Sequence, residues 1–140
     1  MGLIYHIANA ADWEQAQEAG EYLTSTRGRS LEQQGFIHTS TAEQVAPVAN
    51  AVYVGDQGLL VMVIDEARVK SPIIYEPVPG WDKPFPHIYG PLNVDAVVRT
   101  LPLSQDDKGL FVFRVRGASR WFWPGWRQRW RPSGRAGWIR

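Results

Sequence analysis

The chain contains no cysteine, which excludes a disulfide framework, thiolate metal sites and a cysteine nucleophile. It has no apolar run near the roughly 18 residues a membrane helix needs, so no transmembrane segment is expected. The start, MGLIYHIAN, lacks a basic region ahead of an apolar one, so no secretory signal is expected either. These absences together predict a cytoplasmic protein. Four catalytic and nucleotide signatures are also missing: GxxxxGK, GxGxxG, HExxH and GxSxG. A nucleotide site here would be neither a P-loop nor a Rossmann site, and metal chemistry is not expected.

What is present divides into two parts. At 140 residues with 44% hydrophobic content, the chain suits one domain with a sizeable core. Its net charge of +1 conceals an asymmetry. Residues 1–113 hold 7 of the Lys+Arg and all 14 Asp+Glu, whereas residues 114–140 hold 8 arginines and no acid. Five of the seven tryptophans also lie in that last stretch. The expected organisation is a folded domain over residues 1–115 and a basic, Trp/Arg-rich tail over residues 116–140. Arginine neutralises phosphates and indole stacks on bases or sits at an interface, so the tail suits nucleic acid or an anionic surface. A disordered extension, or one docked on the acidic body, is the plainer alternative.

Along the domain, LIYHIA (3–8) predicts a strand, followed by a helix capped at or near Asp12 and ended by Gly20. TSTRGRS (24–30) predicts a loop and GFIHTST (35–41) a second strand. Ser40 and Glu43 have capping-box spacing before a helical pattern through Tyr53, and Pro47 places the first turn near itself. LLVMVID (59–65) predicts a buried central strand. Residues 71–93 hold six prolines, which predicts an excursion with only a short strand at Ile73–Glu76. DAVVRTLPL (95–103) and GLFVFRV (109–115) predict the last two strands. About six strands with two early helices is an α+β pattern.

The three histidines, in YHIA, FIHTS and PHIYG, are the candidate chemical residues: His6, His38 and His87. Imidazole supplies hydrogen bonds, a proton near neutral pH or a metal ligand. They either converge on one pocket or are three separate, structurally satisfied rings. None is paired at i, i+2 or i, i+4, which argues against metal. Thr39, Ser40 and Thr41 adjoin His38, with helix capping the simpler role for Ser40. Among the carboxylates, Glu76 and Asp82 flank the proline-rich excursion, where a carboxylate can orient a ribose or act as a base; Asp82 and Asp65 are more simply solvated or structural.

IYHIA, Trp13 with Ala16 and Gly20, SLEQQGFIHTS, LLVMVID, YEP and FPHIYGPLN together resemble the family named domain of unknown function 952. The resemblance runs in order over residues 3 to 113 and leaves out the tail. That family is similar in layout to the ADP-ribosyltransferase fold, and in particular to RNA 2′-phosphotransferases. The resemblance implies a split, mostly antiparallel sheet with two short helices in its first half. It implies that His6 holds the ribose or amide of NAD and that His38 stacks on nicotinamide. Ser40 would line the same pocket, with His87 or Tyr89 in a third region. Arg27 and Arg29, ahead of the second strand, would reach a phosphate. The chain departs from the pattern in lacking a glutamate on a late strand, Glu76 being the nearest.

The function so implied is a nucleotide-binding enzyme acting on NAD or an ADP-ribosylated compound, with NAD as substrate and no metal. The alternatives are a non-catalytic module that binds a nucleotide or nucleic-acid end, and a protein-interaction domain that works through its tail.

Overall fold

In the computed structural model, which describes residues 2–114, the first strand β1 spans Leu3–Asn9 and its register partner is β6, Leu59–Asp65. β6 lies between β1 and β10 (Val97–Pro102), all antiparallel. Residues in β1 alternate between two faces. Tyr5 and Ile7 join Val61 and Val63 in one core, under Val45, Val48 and Ala49 of helix α3 (Ala42–Val52). Ile4 and Ala8 join Met62 and Ile64 in the other, under Ala16 of helix α1 (Ala10–Ala19). The sheet is therefore buried on both sides, which is why LLVMVID reads as an unbroken apolar run.

Between α1 and α3 the chain forms β2 (Glu21–Tyr22), β3 (Thr24–Thr26), β4 (Arg29–Ser30), the one-turn helix α2 (Leu31–Gln34) and β5 (Ile37–His38). Later come β7 (Ile73–Glu76), β8 (Phe85–Ile88), β9 (Leu92–Asn93), β11 (Ser104–Gln105) and β12 (Phe111–Val112). β5, β8 and β7 form a second three-stranded antiparallel sheet. An isolated bridge joins it to the first: Tyr5 and Ser40 exchange backbone hydrogen bonds of 2.8 and 2.7 Å. The architecture is α+β, with antiparallel pairing throughout the described residues.

Several local expectations are corrected. Asn9, not Asp12, caps α1; its Oδ1 accepts the Asp12 N–H at 2.8 Å. The expected loop 24–30 is a hairpin, because Gly28 takes φ 71° and lets β3 turn back onto β4. Ser30 then caps α2, its Oγ accepting from the Gln33 N–H while Gln33 Oε1 accepts from its own. The strand predicted over 35–41 shrinks to Ile37–His38. α3 begins one residue later than the Ser40–Glu43 spacing suggests, with Thr41 N–H donating to Gln44 Oε1. Pro47 lies inside α3, where the bond it forgoes is to the carbonyl of Glu43 on the helix's exposed side.

The largest correction concerns the proline-rich stretch. β8 is the fully buried middle strand of the second sheet even though it contains Pro86. Thr39 directs both its N–H and its Oγ1 to the Pro86 carbonyl. Pro86 therefore turns its nitrogen toward β5, where the register sets it opposite Thr39; the proline forgoes the one bond to the Thr39 carbonyl, at the end of that strand, and its own carbonyl takes both Thr39 donors. The final strand also differs, since only Phe111–Val112 is extended and it pairs with β11. The basic tail over residues 116–140 lies outside the described residues. No helix among the described residues is long and apolar enough to cross a membrane.

Candidate active site

His38 and His87 are register partners on β5 and β8, so both rings stand on one face of the second sheet. Side chains two apart share a face, which adds Phe85 on β8; its cross-strand partner Glu76, on β7, joins the same face. Nδ1 of His38 is 3.2 Å from Nε2 of His87, and Nδ1 of His87 is 2.7 Å from Oε1 of Glu76. The same Oε1 accepts a 2.6 Å bond from the Tyr89 hydroxyl. Those two hydrogen bonds, Tyr89 first, hold the Glu76 carboxyl below its ordinary range.

The proton positions follow from the partners. An ionised carboxylate only accepts, so Nδ1 of His87 carries a proton and, in the neutral ring, Nε2 is a lone pair. His38 then donates from Nδ1 to that lone pair. Burial, with His87 and His6 alongside, pushes His38 down to about 4, so its ring is uncharged at neutral pH. Its remaining nitrogen, Nε2, has no protein partner among the described residues.

His6 is placed differently. It lies on the Ile4–Ala8 face of β1, 2% exposed. Nδ1 donates to the His38 carbonyl at 2.6 Å, and Nε2, left unprotonated, accepts from Tyr22 Oη at 2.9 Å. Burial pushes it down to about 4. Both ring nitrogens are taken.

One cavity adjoins this face and a second lies beyond Thr26. The first, of about 270 Å³, is walled by Phe36, Trp81 and Phe85 with Val48 and Val52, and is reached by His38 and His87. Phe36 stacks on His87 at 4.0 Å between ring centroids and 16° between planes, and Trp81 meets Phe85 edge-on. Ser25 contributes the only polar side-chain atom among the described residues that is buried with no partner, its Oγ, and it lines this cavity. The second cavity, of about 450 Å³, is more polar and is lined by Asn9, Thr24, Arg27, Gly28 and Asp56. Arg27 Nη2 holds Asp56 Oδ1 at 3.0 Å while more than half its side chain stays exposed. Thr26 belongs to both walls.

The sequence candidates are thus sorted by the fold. His38 and His87 meet at one cavity, and His6 touches the group only through the His38 backbone. Ser40 is buried in the bridge to Tyr5, beside a void of about 10 Å³ shared with His6 and His38. Tyr89 stands behind His87 on Glu76, and Arg27 lines the polar cavity. Arg29, exposed on β4, lines neither. Asp82 is exposed, and Asp65 caps the 3₁₀ turn Glu66–Arg68. Phe36, Trp81, Ser25 and Gln34 escaped notice in the sequence as site residues. Only Phe85 left a trace there, two residues before His87.

A family model described as Protein of unknown function (DUF952) matches residues 7–100, which include every residue of the Glu76–His87–His38 group. The chain belongs to the DUF952 family. Its fold is similar to the crystal structure of protein CC0527 from Caulobacter crescentus, at 30% identity and a TM-score of 0.69, over 79% of this chain and 94% of that one. The crystal structure of a double mutant of that protein gives the same values. Its solution NMR structure matches at 31% identity and a TM-score of 0.64, over 79% and 91% of the two chains. No curated protein matches. As a DUF952 member the protein carries a family description that assigns no activity, and the site geometry is what speaks to function.

Proposed function

We propose that this DUF952 protein is an enzyme that binds a nucleotide of the NAD or ADP-ribose type across the two cavities, with the nucleotide as substrate. The observation that carries this is that an aromatic-walled cavity and a polar one holding an arginine share Thr26 in their walls. A planar heteroaromatic ring suits the first, between Phe36 and Trp81, with Ser25 Oγ and His38 Nε2 as its hydrogen-bonding partners. Sugar hydroxyls and phosphate suit the second, where Arg27 and the turn at Gly28 stand. His38 and His87 are then at the substrate, and His6 and Ser40 hold the backbone beneath it. The resemblance to the ADP-ribosyltransferase fold is what suggests NAD, although it gave the ribose or amide to His6, whose two ring nitrogens are taken here by the His38 carbonyl and Tyr22.

Calorimetric titration of NAD, ADP-ribose and nicotinamide against the wild type, His38→Ala, Phe36→Ala and Arg27→Ala tests this. Nicotinamide binding should be lost in Phe36→Ala and His38→Ala, and ADP-ribose binding weakened in Arg27→Ala. Saturation by none of the three overturns the proposal.

One observation favours a non-catalytic binding module. Glu76 is held behind His87 and lines neither cavity, so no carboxylate faces the aromatic one. Binding of NAD without any release of nicotinamide would decide for that reading.

A further inference from the structure

We propose that Glu76, His87 and His38 form a proton relay whose working end is Nε2 of His38 in the aromatic cavity, with His38 as the proton acceptor and His87 and Glu76 as positioning residues. This rests on the preceding reading of that cavity as the substrate site. Three side chains from three strands meet in line: carboxylate to imidazole at 2.7 Å, imidazole to imidazole at 3.2 Å. The outer end is anchored twice, since Tyr89 also donates to Glu76 Oε1. Phe36 stacks on His87 and fixes the plane of its ring. Both nitrogens of His6 and both of His87 are occupied, which leaves one imidazole lone pair free, that of His38.

The step balances without any further reactant. A hydroxyl or water held in the cavity gives its proton to His38 Nε2. The Nδ1 proton of His38 passes to Nε2 of His87, and the imidazolium so formed is paired with Glu76, which stays ionised. The freed oxygen bonds to the anomeric carbon of the substrate as the bond from that carbon to the heteroaromatic ring breaks. The ring leaves with the bonding electrons. In this way the carboxylate acts on the cavity through two rings, which accounts for its absence from the cavity wall.

The titratable groups facing the two rings are Glu76 from β7, Tyr89 from the segment after β8, and His6 from β1. β3 and α2 present only Ser25, Thr26 and Gln34, and α3 presents Val48 and Val52. No lysine or arginine lines the cavity. Among the described residues, Glu76 is the one carboxylate bonded to the pair.

Three ligand-free measurements on the full chain test the relay. Long-range ¹H–¹⁵N spectra of the histidine rings at neutral pH should show protons on Nδ1 of all three rings and a bare Nε2 on His38. Carbethoxylation by diethyl pyrocarbonate should modify His38 at least tenfold faster than His6 or His87. In Glu76→Gln the pH midpoint for protonating the His38–His87 pair should fall by about one unit, because a stabilising negative charge has gone. A proton on His38 Nε2, equal reactivity of the three rings, or an unmoved midpoint overturns the relay. The ring spectra need no variant, so misfolding of Glu76→Gln leaves the tautomer result to decide. Failure of every nucleotide to bind would remove the functional reading while these results still judged the relay.

Discussion

His6 donates its Nδ1 proton to the backbone carbonyl of His38, 2.6 Å away, so that an imidazole on the first sheet fastens the main chain of the second. With Tyr22 on its other nitrogen, the ring is a buried strut between β1, β2 and β5. His6→Ala leaves a cavity, an unpaired carbonyl and an unpaired hydroxyl, and should lower unfolding stability by about 2–4 kcal/mol in urea titration. Tyr22→Phe removes one bond alone and should cost about 1–2 kcal/mol. A His6→Ala protein as stable as the wild type would show that the strut bears no strain.

Acid should weaken the fold over a defined range. His6 and His38 are both depressed from 6.5 to about 4 by burial. Between these values the unfolded chain binds protons that the folded one does not, so stability rises with pH there and is flat above about 6.5. The lowered Glu76 carboxyl acts in the same direction at more acid pH. For fully buried His6 the effect is on the order of 3 kcal/mol by pH 4. Melting temperatures from pH 7.5 down to pH 4 check this; no decline in that interval contradicts it.

Ser25 separates binding from folding. Its Oγ is buried without a partner, so Ser25→Ala removes an unsatisfied polar atom and should leave the melting temperature unchanged or raise it. The same change should weaken binding of a nucleotide ring in the aromatic cavity by roughly threefold to tenfold if Oγ is its hydrogen-bonding partner. Thermal unfolding and calorimetry on one preparation read both effects.

Gly35 sets the position of Phe36. It ends α2 at φ 93°, its N–H donating to the Leu31 carbonyl at 2.7 Å. Nothing crowds the space a Cβ would take, so the cost of Gly35→Ala comes from backbone conformation alone, about 1 kcal/mol. Denaturant unfolding should show that loss, with the slope unchanged.

The central sheet was legible because its strands carry long apolar runs: LLVMVID is buried on both faces and reads so without context. The cap at Gly20 was legible for a local reason too, since only glycine sits easily at φ 88°. The α+β class and the weight placed on the histidines likewise came from composition and short motifs. What escaped was decided across the chain. Pro86 is tolerated in a middle strand because it lies opposite Thr39 at the end of β5, where a single bond is forgone and both Thr39 donors reach its carbonyl, and no window around Pro86 contains that partner. Thr41 rather than Ser40 caps α3 because Ser40 is spent on the bridge to Tyr5, 35 positions away in the chain. The division among the histidines is of the same kind. All three are alike in sequence, yet strand register pairs His38 with His87, and burial beneath them closes His6 between Tyr22 and a carbonyl. Amino-acid type supplied the chemistry on offer; hydrogen-bond partners brought in from distant strands determined which lone pair was left free.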